Sequence, residues 1–465
     1  MYLIAGLGVT GQSVLRYFKA LKEPCLAFDT RANLDVSELQ NTFPDVQFAL
    51  GEIPNSWLKK IEFVVLSPGI AITEPWVVAL QKLDKQIIGD IELFARAVGA
   101  PVMAITGSNG KSTVTTLAGL ALQEAGYTVG VGGNIGLPAL DLLIDDNEYD
   151  VYVLELSSFQ LETTYSLATI SSTVLNISED HMDRYLGIED YIHAKTKVFA
   201  ETDLAVVPKD FGLEGLIHHG KVVRFCADDN YIENDSHYGL LQHNGETWLG
   251  HGNTPQVPLA AMKLQGKHHV LNALALLALC QPFNIENKYF EKVLSEFVGL
   301  PYRTQLVQIA HDIAWINDSK GTNVGATITA IQSIGEQIKN TPSADSQAPG
   351  QMILIAGGVG KDADFSALKQ PIFEFCKHVI LFGRDQDVIG SAIQQEEVNT
   401  ATLTVTKVDD LASAVAIALE NALPNDCVLF SPACASFDQY ANYVQRGEHF
   451  VELVHQACNV IHINE

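Results

Sequence analysis

Positive charge is scarce in this chain. Lys and Arg together number 29 against 55 Asp and Glu, a formal net charge of −26. Affinity for nucleic acid rests on neutralising phosphates with cations, so nucleic acid is excluded as the main partner. An anionic small molecule can still bind where the few cations converge. Cysteine is sparse and unpatterned: seven residues, scattered from Cys25 to Cys458, with no C-x-x-C pair. Neither a zinc knuckle nor a disulfide framework is indicated, and reduced thiols in a cytoplasmic protein are expected. No apolar run reaches the ~20 residues of a membrane helix. The longest candidate, 270–280, contains Asn272 and reads as a buried helix. A basic segment leading into an apolar stretch and a cleavage site is also missing at the N-terminus, so neither membrane insertion nor an export leader is expected. With 47% hydrophobic and 18% charged residues the chain is globular rather than disordered. Its 465 residues exceed one core, and the size rule suggests roughly three domains.

What is present is organised around Val102-Met-Ala-Ile-Thr-Gly-Ser-Asn-Gly-Lys-Ser-Thr113. An apolar strand turns through Gly107, Ser108, Asn109 and Gly110 into Lys111, Ser112 and Thr113, and a helical pattern follows. This is a recipe for a nucleoside triphosphate. Backbone N–H groups and the helix N-terminus close on the phosphates, Lys111 supplies a cation, and the Ser112 hydroxyl can ligate Mg²⁺. The strict form of the motif has a glycine where Ile105 stands, so this is a shorter variant.

Upstream, residues 1–89 read as a small α/β unit. Gly6-Leu-Gly8-Val-Thr-Gly11 follows a first strand, and Asp29 ends a second. The pattern fits a dinucleotide fingerprint, but the unit is short, and Arg31 beside Asp29 suits a phosphate or a uracil as well as a ribose. A nicotinamide cofactor and a sugar nucleotide both remain open at this point.

Residues 90–300 hold most of the polar anomalies. The strand running into Glu155 ends on a carboxylate, placed either to bind Mg²⁺ or simply to face water. The loop Ile177-Ser-Glu-Asp-His181-Met-Asp-Arg184 is either a solvated turn or a site. Lys195 lies on a helix, where lysines usually face solvent. Residues 201–262 alternate short strands and turns without evident chemistry. Residues 301–465 form a third α/β unit, with Asp318-Ser-Lys320-Gly-Thr322 and Gly357-Gly-Val-Gly-Lys361 following strands. Its polar, Pro/Ser/Gly-rich stretch at 340–350 reads as a surface loop. Cys434 has no local partner and reads as a buried structural thiol.

Taken together, the sequence resembles the Mur ligases, which use ATP to add amino acids to a UDP-linked peptidoglycan precursor. The likeness runs through Thr106–Thr113, Leu154–Gln160, Asn176–Tyr185, Asn317–Asn323, Gly357–Lys361 and Ser431–Gln439. The Ser-Pro-Ala-Cys-Ala-Ser run and the short first domain favour the branch that adds D-glutamate. The Asp-Asn-Pro-Arg motif of the diaminopimelate-adding branch is absent.

The resemblance implies an α/β protein of three domains: a Rossmann-like unit at 1–89 for the UDP substrate, a central P-loop-type ATPase domain with a parallel sheet at 90–300, and a Rossmann-like amino-acid-binding domain at 301–465. It implies ATP and two Mg²⁺ sites as cofactors, and UDP-N-acetylmuramoyl-L-alanine and D-glutamate as substrates of a monomeric enzyme. Lys111, Glu155, His181 and Lys195 would be the catalytic set. Ser112, Glu155, His181 and a carbamylated Lys195 would serve the metals. Gly107, Ser108, Asn109, Gly110, Lys111, Ser112, Thr113, Asn272, Arg303, Asp318 and Lys320 would hold the nucleotide. Val9, Thr10, Thr30, Arg31 and Asn134 would contact the UDP substrate, and Thr322, Lys361, Ser436 and Tyr443 the D-glutamate. Arg303, Asp318 and Lys320 are assigned to a different domain from Lys111, so closure of the third domain is expected to assemble the site. His269 stands where the family has Asn, and Tyr443 where it has Phe.

Rival readings are a folylpolyglutamate synthase-like ligase, an NAD(P)-dependent oxidoreductase built on the first glycine turn, and a non-catalytic nucleotide-binding module. The first lacks the N-terminal glycine unit, the second leaves the Lys111 loop unexplained, and the third has no use for Glu155, His181 and Lys195.

Overall fold

The computed structural model describes residues 1–460 apart from 213, 230–235, 341–349 and 394–402. Most of the expected 340–350 loop thus lies outside the described residues. The chain packs as two compact units. The first comprises Met1–Ile177, Glu189–Gln265 and His269–Phe297, and the second Ser178–Ile188, Gly266–His268 and Val298–Glu465.

The first unit carries two large sheets. Five parallel strands form the N-terminal one, in the order Gln47–Leu50, Cys25–Asp29, Tyr2–Ala5, Phe63–Leu66, Gln86–Ile88. These short strands are almost wholly apolar, as strands covered on both faces require. The order reverses between Tyr2–Ala5 and Phe63–Leu66, which opens a crevice at their carboxyl ends.

The central sheet has nine strands. Val102–Thr106, buried at all five positions, lies between Val151–Glu155 and Ser171–Val174, all parallel. Val129–Gly133 closes the edge beyond Val151–Glu155. The register sets Glu155 beside Ile105 on one side and Gly133 on the other. The short strands expected at 201–262 extend this sheet on its other flank, ending in the antiparallel strands His237–His243, Glu246–His251 and Thr254–Pro258.

The helix Asp90–Ala97 links the two sheets. Its first turn carries two buried carboxylates. Glu92 accepts from the backbone N–H groups of Tyr165 and Ser166, at 2.7 and 2.9 Å. Asp90 accepts from Gln160 Nε2 at 3.2 Å, while its Oδ1 has no hydrogen-bond partner. Burial dominates over these bonds and raises the Asp90 carboxyl to about 6. The folded protein therefore holds a proton that the unfolded chain, with an ordinary value of about 3.9, releases between those two pH values. The stability contribution of Asp90 falls as pH rises through that window and is lowest above it. We expect Asp90→Asn to be more stable than wild type at pH 7.5 by up to about 2–3 kcal/mol. The gap should narrow as pH is lowered towards 5 in urea unfolding. Equal stability at pH 7.5 would show that the charge is compensated.

The second unit is built on six strands in the order Gln305–Ala310, Ile313–Asn317, Cys427–Phe430, Met352–Gly357, Cys376–Phe382, Thr404–Lys407. All pairs are parallel except the first. The turns after Ile313–Asn317, Cys427–Phe430 and Met352–Gly357 therefore sit side by side at one edge. No helix among the described residues is long and apolar enough to cross a membrane. All seven cysteines are buried and unbridged.

Candidate active site

The phosphate-type loop is fixed from below by the neighbouring strand end. Ser108 N donates to Asn176 O at 2.9 Å. Asn109 N donates to Asn176 Oδ1 at 2.8 Å, and Asn176 Nδ2 returns a bond to Asn109 O at 3.0 Å. Gly110 then starts the helix Lys111–Glu124 with φ +84°, where a side chain would be strained and its Cβ would lie 2.7 Å from Asn272 Oδ1. This helix has no side-chain cap and no acid in its first turn, so the positive end of its dipole favours an anion there.

Two lysines converge on one carbonyl. Lys111 Nζ donates to Gly107 O at 2.7 Å and Ser108 O at 2.8 Å. Lys195 Nζ donates to the same Gly107 O at 2.9 Å and lies 4.5 Å from the Tyr191 ring centre. Lys195 is 2% exposed, so it is not the solvent-facing helix lysine that position alone suggests. Tyr191 OH and Ser108 Oγ, 3.1 Å apart, complete the floor.

Glu155 is buried and bonded on both oxygens. Ser112 Oγ donates to Oε2 at 2.6 Å, and Asn134 Nδ2 donates to Oε1 at 2.8 Å. It does not face water as a solvated strand end would. Ser112 and Glu155 offer two hard oxygen donors beside the loop. That suits Mg²⁺, which takes one or two protein oxygens and completes its shell with water and phosphate. No cluster of three or more His, Cys, Asp or Glu fit for a metal occurs among the described residues.

Asn134 reaches a second space. A cavity of about 370 Å³ is lined by Gly6–Thr10, Asp29–Arg31, Ser67–Ile70, Gly133, Asn134 and Gln160. Val9, Thr10, Thr30, Arg31 and Asn134, nominated from scattered stretches, all border it. The cavity sits at the N-terminus of the helix Val9–Leu21, whose first turn carries no acid. Asp29 receives Leu7 N at 2.9 Å and a two-pronged grip from Arg31, at 2.8 Å from both Nε and Nη2. Foremost through that grip, its carboxyl falls to about 2. A crevice on the other side of the loop helix is lined by Thr113, Leu117, Met262, Leu264, His269, Asn272, Leu294 and Phe297. Its lining is largely apolar and includes Asn272. The substituted His269 forms part of its wall.

The other nominated residues belong to the second unit. Asp318 accepts from Ser431 Oγ at 2.7 Å and from Thr304 N at 3.1 Å, and burial raises it to about 6 despite those bonds and the Arg303 charge. Lys320 Nζ stands 3.9 Å over the Tyr443 ring. Lys361 forms a largely buried ion pair with Asp180, which also accepts from Asn323 Nδ2 at 3.1 Å. His181 Nε2 lies 3.6 Å from Asp180. Val359 and Ala435 exchange backbone bonds of 2.8 and 2.9 Å, binding the Lys361 turn to the Ser436 turn. Several non-glycine residues here have left-handed backbone, among them His181, Tyr302, Thr304, Lys361 and Ala433. Such strain gathers where function over-determines geometry.

Sequence reasoning gave no role to Gln160, Tyr191, Asn176, Asp180 or Arg446. The Ser157/Gln160 capping-box spacing was readable, and Gln160 does form that box. Asn176 and Asp180 lie in or beside the polar loop 177–184 without a signal that separates them from their neighbours, and nothing local marks Tyr191 or Arg446.

Three family models match: the Mur ligase MurD-like N-terminal domain over 1–89, the Mur ligase middle domain over 105–280, and the Mur ligase glutamate ligase domain over 302–434. The chain is 56% identical over 458 residues, 98% of both chains, to a UDP-N-acetylmuramoylalanine–D-glutamate ligase of Hydrogenovibrio crunogenus. It is 41% identical over 463 residues, again 98% of both, to the ligase of that name from Legionella pneumophila. Among solved structures, the MurF ligase of Thermotoga maritima in complex with ADP aligns at TM-score 0.61 and 14% identity, over 98% of this chain and 95% of that one. MurC from the same organism aligns at 0.59 and 17%, over 98% and 99%.

Proposed function

The chain belongs to the Mur ligase family, and on that premise we propose that it joins D-glutamate to UDP-N-acetylmuramoyl-L-alanine at the expense of ATP, in peptidoglycan precursor synthesis. The observation that carries this reading is the bonded series Asn134–Glu155–Ser112. It connects the cavity at the glycine turn of the first sheet with the phosphate loop of the second. A UDP-linked substrate seated in that cavity would present its far end to the loop, where a transferable phosphate would lie.

A carboxylate is too poor an electrophile to form an amide in water at neutral pH. The alanyl carboxylate therefore attacks the γ-phosphorus of ATP, giving an acyl phosphate and ADP. The D-glutamate amine then attacks the acyl carbon, the C–O bond breaks, phosphate leaves with the electron pair, and the nitrogen gives up a proton to phosphate or water. Phosphoryl transfer asks mainly for positioning and charge neutralisation. Lys111 and the N-terminus of the Lys111–Glu124 helix would face the phosphates. Ser112 and Glu155 would hold Mg²⁺, which neutralises phosphate charge when bound. Lys195, as a carbamate, would add anionic oxygens, and His181 would serve a second ion. Asn272 and Thr113 would border the adenine. Arg303, Asp318 and Lys320 would complete the nucleotide contacts. Lys361 would take an acceptor carboxylate now answered by Asp180, with Thr322, Ser436 and Tyr443 around the acceptor. We further assign the domains to 1–89, 90–300 and 301–465, and the working form to a cytoplasmic monomer.

The test is phosphate release from ATP with UDP-N-acetylmuramoyl-L-alanine, comparing D-glutamate with L-glutamate, L-alanine and meso-diaminopimelate. Release that requires both the UDP substrate and D-glutamate is expected. Release with another amino acid would move the specificity to another branch. No release with any would overturn the ligase reading.

A further inference from the structure

Arg446 is fully buried at the start of the last helix, Tyr443–Val460. Its Nη2 donates to Ser319 O at 2.8 Å and to Cys434 O at 3.1 Å, and its Nε to Ser319 Oγ at 3.2 Å. Its Nη1 has no hydrogen-bond partner, and that nitrogen lies beneath Gly358. A Cβ there would come within 3.2 Å of Nη1 and 2.3 Å of Ala435 O. The Phe430 ring covers the guanidinium, 5.8 Å from centre to carbon. One buried cation thus underlies three turns: Asp318–Thr322, Gly358–Lys361 and Ser431–Ser436. Further bonds lock the helix start to the first of them. Ser319 Oγ donates to Tyr443 O at 2.8 Å, and Asn317 Nδ2 to Gly447 O at 2.9 Å.

On stability grounds this residue is an odd choice. A buried guanidinium that bonds carbonyls, with the Asp318 and Asp438 carboxylates acting on it only through space, carries a large desolvation cost. A cation in the first turn of a helix also opposes the helix dipole. A neutral side chain would avoid both costs. The Nη1 side of the buried guanidinium is turned towards Gly358, in the turn that carries Lys361.

We infer that Arg446 is a positioning residue for an anionic amino-acid acceptor, fixing the three turns and adding positive potential beneath them without touching the ligand. This rests on the acceptor reading given above. Burial lowers the guanidinium to about 10, which leaves it charged at neutral pH.

The test measures steady-state constants of the full-length enzyme and of Arg446→Lys and Arg446→Met. We expect the KM for D-glutamate to rise about tenfold or more in Arg446→Met and less in Arg446→Lys, which keeps charge but loses the fork. The KM for the UDP substrate should stay within about twofold. A role in packing alone would lower the melting temperature and the active fraction, and would leave the D-glutamate KM unchanged in the folded enzyme. That result overturns the inference. If Arg446→Met does not fold, Ser319→Ala removes one acceptor of the guanidinium, and a rise of about threefold in the same KM is expected. Unchanged values in both Arg446→Lys and Ser319→Ala would be equally fatal. A wild-type enzyme that ignores D-glutamate would instead refute the specificity, and the same comparison would be made with the acceptor it uses.

Discussion

Lys111→Ala should abolish formation of the acyl phosphate and lower ligase turnover by about 10³-fold. Lys111 Nζ donates to Gly107 O and Ser108 O at 2.7 and 2.8 Å, beside the helix N-terminus. In that posture it extends across the loop that would receive the phosphates. Alanine removes those two bonds, but the Asn176 bonds to Ser108 and Asn109 and the Lys195 bond to Gly107 O still hold the loop. The loss should therefore fall on chemistry and not on folding, with melting temperature changed little. Trapping with hydroxylamine reads the intermediate directly. Wild-type levels of trapped product in the variant would remove Lys111 from phosphoryl transfer.

Lys195→Ala should lose at least about 10²-fold in turnover. It should regain part of that loss when formate, acetate or propionate is added. The side chain is buried, so an ordinary ammonium there has to be tolerated for a reason. It donates to a carbonyl oxygen and lies over an aromatic face. A carbamate would convert the position from cation to anion and give oxygens suited to Mg²⁺. A short carboxylic acid diffusing into the vacated space restores such oxygens. Failure of every acid to restore activity, together with no carbamate carbon signal from labelled bicarbonate in the wild type, would leave Lys195 as a structural lysine.

The two glycine turns and their strands were legible because parallel strands buried on both faces leave near-continuous apolar runs, and the turns that follow need particular residues. Val102–Thr106 and Cys25–Asp29 are cases where the run and the strand share their limits. Glu155 was ambiguous in sequence because a strand end can face water or a ligand. The register beside Ile105 and Gly133 decides that it faces inward. Lys195 was ambiguous for the same kind of reason. Helix periodicity says which residues share a face, but not which face the sheet covers. Asn134 could be matched to a substrate contact, yet its bond to Glu155 depends on two strands meeting. Arg446 left no trace at all. It lies some 85 positions from Lys361 by the numbering, and only the side-by-side strands Ile313–Asn317, Cys427–Phe430 and Met352–Gly357 bring its three turns together.

The seven buried thiols carry a practical consequence. Burial raises the Cys25 thiol to about 11 and Cys427 and Cys434 to about 12. A shielded, protonated thiol reacts with alkylating reagents only when its surroundings open. Cys25, Cys226 and Cys280 belong to the first compact unit, and Cys376, Cys427, Cys434 and Cys458 to the second. Peptide-resolved alkylation would therefore time the opening of each unit separately, using reporters the chain already contains. A cysteine introduced on the surface would take a fluorophore selectively against that silent background.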